Sequence, residues 1–168
     1  ESGGVKTTVS AESMQRAPLF IFSDAREARD FQLWLRANVD AIREQAESTT
    51  SVGKLLEIEN YHTHNFVACR FDYSTGDAAG QNMTSRATFF ACEWNRKNYP
   101  GSMRNYMLSG NWDTEKKTSA INMLKGRGRR VTAEVTIPRK VLMDNLRITP
   151  EQMQLSLIHI SEPTRPVT

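Results

Sequence analysis

The segment from residue 109 to residue 130, SGNWDTEKKTSAINMLKGRGRR, concentrates residue types that could do chemistry. Glu115 is followed by two adjacent lysines, Lys116 and Lys117, where a helical run begins. A lysine ammonium can stabilise an oxyanion that develops in a transition state, and a neighbouring carboxylate would orient that ammonium and keep it charged. A solvated surface would explain the same residues without any ligand, because adjacent lysines usually face water. Taken alone, the segment leaves both interpretations open.

A second candidate segment is the small-residue turn at 74–83, STGDAAGQNM, which precedes a helix. Its glycines and alanines would let backbone amides at a helix start approach phosphate groups closely. An ordinary N-cap by Asp77 would explain the same pattern. The turn does not match G-x-G-x-x-G, so a Rossmann domain is not predicted.

Two further groups of residues have simpler explanations. KGRGRR at 125–130 could bind nucleic acid, but it has no interleaved aromatic residues and leads directly into an apolar strand. A glycine C-cap with basic charges near the helix C-terminus explains it better. His62 and His64 would share one face of a strand, yet no third ligand is evident, so the sequence predicts no metal site.

Composition places the chain among soluble globular proteins. Its 168 residues are 39% hydrophobic and 24% charged, and no run approaches the roughly 18 apolar residues of a membrane span. Cys69 and Cys92 lie far apart in the sequence, which suits a reducing compartment rather than a disulfide framework. The net charge of +3 fits a phosphorylated cofactor as well as nucleic acid and does not decide between them.

The elements that must position these residues begin with a predicted buried strand at 17–22. Asp24, with a glutamate three residues later, predicts an N-cap, and apolar residues then recur with helical period through Ala46. Two strands are predicted at 54–61 and 65–73, joined by a tight connection.

A second helix is predicted to open at Gly76 and to end before Pro100, and a last strand follows at 103–108. The order is therefore strand, helix, strand, strand, helix, strand, which is the split unit of ferredoxin-like domains. The predicted fold class is α+β, with a ferredoxin-like small domain over 18–108.

The residues after 108 are too few to close a core of their own. They predict a helix over 116–125, an alternating strand over 131–137 and a closing helix over 138–146 that begins at a proline. We interpret 109–154, together with 1–17, as pieces of a larger α/β catalytic domain into which the small domain is inserted.

The final segment, 155–168, has no periodicity that continues what precedes it. It is similar to the translation of a sequencing adaptor joined to a truncated read. We therefore expect the natural sequence to depart from this one near Gln154, and the tail does not enter the fold prediction.

Four segments together resemble the hydroxymethylglutaryl-CoA reductases of the class I type: GGVKTTVSAESMQRAP, RFDYSTGDAAGQNMTSRA, SGNWDTEKK and INMLKGRGRRVTAEVTIP. The resemblance extends from the first residue to about residue 150. It implies an oxidoreductase that uses NADPH to reduce 3-hydroxy-3-methylglutaryl-CoA to mevalonate, in isoprenoid biosynthesis. It also implies that the small domain is ferredoxin-like and binds the cofactor.

The resemblance also implies roles for individual residues. Lys116 falls at the catalytic lysine, which stabilises the oxyanion formed when hydride reaches the thioester carbonyl. The residues that grip the free carboxylate of the substrate and its neighbouring groups would be Arg16, Ser109, Glu115 and Lys117, with Glu115 where the family usually has aspartate. The cofactor residues would be Asp77, Ala79, Gly80, Gln81, Asn82, Thr50 and Ser51.

Two departures from the family pattern affect the expected activity. Ser51 stands where an arginine is expected near the cofactor phosphate, with Lys54 as the alternative cation. The catalytic glutamate of the family lies upstream of this sequence, and its catalytic aspartate and histidine lie downstream. The resemblance therefore implies that the present chain is a fragment that turns over no substrate by itself.

The expected partners are hydroxymethylglutaryl-CoA, NADPH and further copies of the chain in a homodimer or homotetramer, without nucleic acid. The expected location is the cytoplasm, where the whole protein could be tethered to the endoplasmic reticulum by a membrane region outside this segment. One alternative is a free-standing nucleotide-binding or regulatory module without catalysis. Another is an RNA-binding domain, which would need exposed aromatic residues such as Phe66, Phe71 and Tyr73.

Overall fold

The computed structural model describes residues 3–110 and 118–161, and it describes side chains up to Leu155. The chain divides into two compact units. One is Val9–Arg130, and the other contains the residues up to Thr8 together with those from Val131 onward. The larger unit includes the whole of the predicted small domain, whose limits stay a prediction.

The described residues form a mixed α/β structure with an antiparallel sheet. The strands are β1 (Lys6–Arg16), β2 (Leu19–Ile21), β3 (Lys54–Thr63), β4 (Phe66–Ser74), β5 (Asn105–Met107) and β6 (Gly128–Glu134). The helices are α1 (Ala25–Ala37), α2 (Val39–Glu47), α3 (Gln81–Asn98), α4 (Ala120–Lys125), α5 (Arg139–Val141), which continues as a π-helical turn over Leu142–Leu146, and α6 (Pro150–Ser161).

Strand β4 is the centre of the sheet in the larger unit. Strand β3 pairs with one edge of β4 along its whole length, with a bulge at Leu56. Strands β1 and β2 follow one another along the opposite edge, where Met14 pairs with Tyr73 and Leu19 pairs with Ala68. Strand β5 then pairs with the outer edge of β2. The resulting antiparallel order is β5, β2, β4, β3.

The two faces of β4 have different chemistry, because side chains alternate along a strand. One face, here called the helix face, carries Val67, Cys69, Phe71 and Tyr73, and these pack with buried residues of α1, α2 and α3. The other, here called the charged face, carries Arg70 and Asp72 on β4, with Glu57 and Glu59 on β3 and Lys125 on α4.

Local sequence explains where α1 begins and where it ends. The Asp24 carboxylate accepts hydrogen bonds from the amides of Arg26 and Glu27, which confirms the predicted N-cap. The predicted single helix through residue 46 is wrong in one detail. It breaks at Asn38, whose side-chain Nδ2 donates to the carbonyl of Trp34 at 2.7 Å and ends α1.

Other predictions differ from the structure. Helix α4, predicted over 116–125, begins at Ala120, because Ser119 is its N-cap and accepts a hydrogen bond from the amide of Asn122. Helix α3 begins at Gln81 rather than at Gly76, because the intervening residues form a separate turn. Strand β1 was not predicted, and its pairing partner β4 lies more than 50 residues away in sequence. Strand β6 starts at Gly128 and ends at Glu134, earlier than the predicted 131–137. The predicted C-cap at Gly126 is confirmed, since its amide donates to the carbonyl of Asn122.

Candidate cofactor-binding site

The predicted cofactor motif forms a tight turn before α3. Thr75 Oγ1 donates to the carbonyl of Ala78 at 2.6 Å and closes the turn. Gly80 is the N-cap of α3 and has a left-handed φ of 70°. A Cβ on Gly80 would lie 2.3 Å from Thr75 Cγ2, so both the backbone angle and the space require glycine at this position.

The first turn of α3 presents its backbone amides to this loop. Gly80 provides no side-chain cap, and the first amides of a helix have no acceptor within the helix. The side chains of Gln81 and Asn82 are exposed. Thr84 and Ser85 donate their hydroxyls to the carbonyl of Gln81, which holds the start of the helix in place. The helix start therefore provides amide donors and a favourable field for an anionic group.

The second predicted cofactor segment lies beside the first. Thr50 Oγ1 accepts hydrogen bonds from the amides of Val52 and Gly53 at 3.2 and 3.0 Å. A Cβ built on Gly76 would meet Val52 Cγ1 at 3.1 Å, so the two loops are in contact. The antiparallel β3–β4 pair brings them together, since one loop precedes β3 and the other follows β4.

The cation that reaches this site is Arg129 and not Lys54, which the sequence suggested. Lys54 Nζ lies 2.9 Å from Glu47 Oε2, so its ammonium is already paired. That hydrogen bond is the main reason why the pKa of Glu47 is lowered from its ordinary value. Arg129, which sequence reasoning did not identify, reaches the loop instead and lies 3.5 Å from the Asp77 carboxylate.

A cleft of about 300 Å³ lies against the loop. Arg129 Nε also pairs with Glu12 on β1 at 3.1 Å, so the cleft has a cation between two carboxylates. The residues that line it are Glu12, Ser13, Met14, Thr75, Gly76, Asp77, Ala78, Ala79, Gly128 and Arg129. The only sequence signal for Arg129 was its place in the basic GRGRR segment, which also had a simpler explanation.

Arg16, predicted to bind substrate, lies at the start of α3. Its Nη2 donates to the carbonyl of Gln81 at 3.3 Å and to Ser85 Oγ. Ser109 is exposed, and the amide of the following Gly110 donates to the carbonyl of Ala17 at 3.1 Å. Two predicted substrate residues therefore lie on segments that meet next to the cofactor motif.

Three predicted substrate and catalytic residues lie in one segment outside the described part of the chain, and Ser51 of the second cofactor loop is exposed. Glu115, Lys116 and Lys117 lie outside the described residues, and their roles stay predictions.

Three features of the described residues bear on the predicted functions. Phe71 and Tyr73 are buried on the helix face, so neither can stack on an RNA base. Over the part of the chain that the structure describes, no group of three or more His, Cys, Asp or Glu residues could hold a metal ion. In the same part, every helix is too short or too polar to cross a membrane.

Sequence comparison identifies relatives over most of the chain. The family model described as hydroxymethylglutaryl-coenzyme A reductase matches residues 1–160. The chain is 43% identical over 150 residues to the 3-hydroxy-3-methylglutaryl-coenzyme A reductase of Haloferax volcanii, and the match covers 89% of this chain and 37% of that protein. It is 40% identical to the reductase of Methanothermobacter thermautotrophicus, with 89% and 38% covered.

Structural comparison agrees at the level of the fold. A class II 3-hydroxy-3-methylglutaryl-CoA reductase from Streptococcus pneumoniae, solved with bound NADPH, superposes with a TM-score of 0.60 at 16% identity. The match covers 95% of this chain and 39% of that chain. The chain thus spans about two fifths of the length of these three proteins. It belongs to the hydroxymethylglutaryl-coenzyme A reductase family.

Proposed function

We propose that this chain carries the NADPH-binding part of a reductase that converts hydroxymethylglutaryl-CoA to mevalonate and CoA. The observation that carries the proposal is the contact between the two predicted cofactor loops at Gly76 and Val52, beside the uncapped start of α3. A helix start with amide donors and a close glycine turn suits the diphosphate of a dinucleotide. The class I assignment rests on the sequence motifs.

We also infer that the larger unit is a ferredoxin-like domain. The strand order β5, β2, β4, β3 and the three helices packed on one face of the sheet support this inference. In such a domain the two loops at one end of the β3–β4 pair are neighbours whatever their sequence separation, which accounts for a cofactor site made from two distant segments.

Individual residues of the chain would have different roles. Gln81 and Asn82 would bind the cofactor at the helix start, and Asp77 would hold Arg129 at the rim of the cleft. Arg16, fixed against Gln81, would place a positive charge between the cofactor and the carboxylate of the acyl substrate. Lys116 would stabilise the oxyanion at the thioester carbonyl, a role supported by the sequence motif alone.

Activity of the chain by itself is not part of the proposal. Proton donors are needed at two stages of a thioester reduction, and we expect the glutamate, aspartate and histidine that supply them to lie in the rest of the reductase. The alternative of a free-standing nucleotide-binding module is less favoured, because the family match over residues 1–160 includes the segments on both sides of the loops.

Isothermal titration calorimetry of the chain with NADPH tests the cofactor proposal. Asn82→Ala should weaken NADPH binding about tenfold or more, since hydrogen bonds to charged groups contribute about 1.5–3 kcal/mol. Asn98→Ala is the matched control, because Asn98 is an exposed asparagine at the opposite end of α3. Equal effects of the two substitutions, or no NADPH binding by the chain, would contradict the proposal.

A further inference from the structure

Ser85 begins the second turn of α3 and has contacts that the cofactor proposal does not use. Arg16 Nη2 donates to Ser85 Oγ, and it also donates to the carbonyl of Gln81 at 3.3 Å. Ser85 Oγ in turn donates to the same carbonyl at 2.8 Å. A serine hydroxyl has one proton, so with that proton bound to the carbonyl it can offer Arg16 only its lone pairs. The hydroxyl is therefore fixed as an acceptor for the guanidinium.

Local structure explains why these side chains meet. Arg16 is the last residue of β1 and pairs with Phe71 of β4, whose ring lies on the helix face. Residues directly opposite each other in a sheet point to the same side, so Arg16 points toward the helices. Gln81 and Ser85 are four residues apart in α3 and share one side of that helix. The end of β1 therefore meets the side of α3 on which both acceptors lie.

Arg16 is only partly satisfied by the described residues. Its acceptors there, a hydroxyl and a carbonyl, are uncharged, and its Nε is buried without an acceptor in the same part of the chain. A buried cationic donor without a partner is costly, which favours an anionic group bound beside it. Ser109, a predicted substrate residue, lies next to Gly110, whose amide donates to the carbonyl of Ala17. Two predicted substrate residues thus lie on adjoining segments, and the substrate carboxylate is the anion that fits both.

We propose that Ser85 is a positioning residue for the acyl substrate: its hydroxyl orients the Arg16 guanidinium, which binds the free carboxylate of hydroxymethylglutaryl-CoA. The inference rests on the proposed function, because it takes Arg16 as a substrate residue of the reductase. A free arginine side chain has many rotamers, and substrate binding would have to restrict them. The hydroxyl restricts them in advance, so Ser85 improves substrate binding and does not take part in hydride transfer.

Steady-state kinetics of the full-length reductase that contains this segment test the proposal. Ser85→Ala should raise the KM for hydroxymethylglutaryl-CoA about tenfold, the scale for one hydrogen bond to a charged group, and should leave kcat within about twofold. Thr84→Val is the matched control. Thr84 Oγ1 donates to the same Gln81 carbonyl at 3.0 Å, but in the described structure it has no hydrogen bond with Arg16. We expect Thr84→Val to leave the KM for hydroxymethylglutaryl-CoA unchanged. Equal increases for the two variants, or none for Ser85→Ala, would overturn the proposal.

A double-mutant cycle separates positioning from a direct contact between Ser85 and the substrate. Arg16→Ala should raise the KM for hydroxymethylglutaryl-CoA more than Ser85→Ala does, because it removes the charged donor itself. In the Arg16→Ala background, Ser85→Ala should then have no further effect. An undiminished effect in that background would show that Ser85 acts without Arg16, and an unchanged KM for Arg16→Ala would assign the guanidinium to another group of the reductase; either result contradicts the inference. Failure of the proposed function would instead appear as no NADPH-dependent turnover by the unsubstituted reductase, and the inference would fall with it.

Discussion

The two faces of strand β4 are both buried, but they differ in what buries them. On the helix face, Phe71 and Tyr73 lie under α1–α3 among aromatic and aliphatic side chains. On the charged face, Arg70 and Asp72 form an ion pair at 3.0 Å with side chains only 5% and 9% exposed. Adjacent residues of one strand therefore have opposite environments, and the two faces contribute differently to the protein.

The helix face provides most of the hydrophobic free energy. The ring of Phe31 is fully buried and lies within 6 Å of four other aromatic rings, those of Phe20, Phe22, Trp34 and Tyr99. The burial of these rings is non-directional, so it stabilises the helix layer without fixing the position of any one polar group.

The charged face positions the end of α4 and contributes little to the free energy of unfolding. Arg70 Nη2 reaches the carbonyl of Gly126 at 3.4 Å, and Lys125 pairs with Glu57 and Glu59 on β3. These contacts fix the end of α4 against the sheet, and the chain then leads directly into Arg129 at the cofactor cleft. The difference between the faces is that one stabilises the fold and the other positions a site residue.

The largest expected effect is on the helix face. Phe31→Ala should lower the free energy of unfolding by about 3–5 kcal/mol, because it opens a cavity among aromatic rings that the surrounding structure cannot fill. Urea denaturation followed by circular dichroism measures this change. Leu33→Ala, on the exposed side of the same helix, should change the free energy by less than about 0.5 kcal/mol. Similar losses for the two variants would mean that the aromatic cluster is not the core.

A smaller effect is expected on the charged face, and it should be reversible by a second change. Asp72→Ala should cost about 3 kcal/mol, because it leaves the Arg70 guanidinium buried without its partner. Replacing both residues, Arg70→Met with Asp72→Leu, should restore the stability to within about 1 kcal/mol of the original. The same denaturation experiment measures both variants. If the double variant is as unstable as the single one, the ion pair itself stabilises the fold.

The sequence predicted the elements of the larger unit better than their contacts. The apolar periods of α1, α3, β3 and β4 are local, and all four elements form close to the predicted positions. The start of α3 was missed because it depends on Gly80, which has a left-handed φ and packs against Thr75. The apolar periodicity of the sequence does not reveal such a contact. Strand β1 was missed because its identity comes from pairing with a distant strand.

The candidate site likewise has parts that local sequence predicts and parts that depend on tertiary packing. Its glycine turn was predicted from residue types, because small residues act locally, whereas its Thr50 loop was predicted only from the family resemblance. Arg129 was not predicted, since only tertiary packing brings Gly128–Arg130 next to Glu12 and Asp77. Lys54 was proposed from its position in the sequence, but its pairing with Glu47 depends on how α2 packs against β3.

The smallest expected effect is a pH dependence of the charged face. Burial raises the pKa of Asp72 above its ordinary value of 3.8, and the nearby Arg70 opposes that shift only in part. A carboxyl group whose pKa is raised by folding stabilises the folded state when protonated, and that stability is lost as the pH rises from 3.8 through the folded pKa.

The Asp72→Asn variant tests this pH dependence, because the asparagine side chain cannot ionise and its contribution to stability does not change with pH. Its free energy of unfolding should therefore increase relative to the unsubstituted chain as the pH rises through that window, and then stay level up to pH 7. Urea midpoints measured across the window check the direction, and a relative decrease would mean that Arg70 outweighs burial and that the charged face stabilises as well as positions.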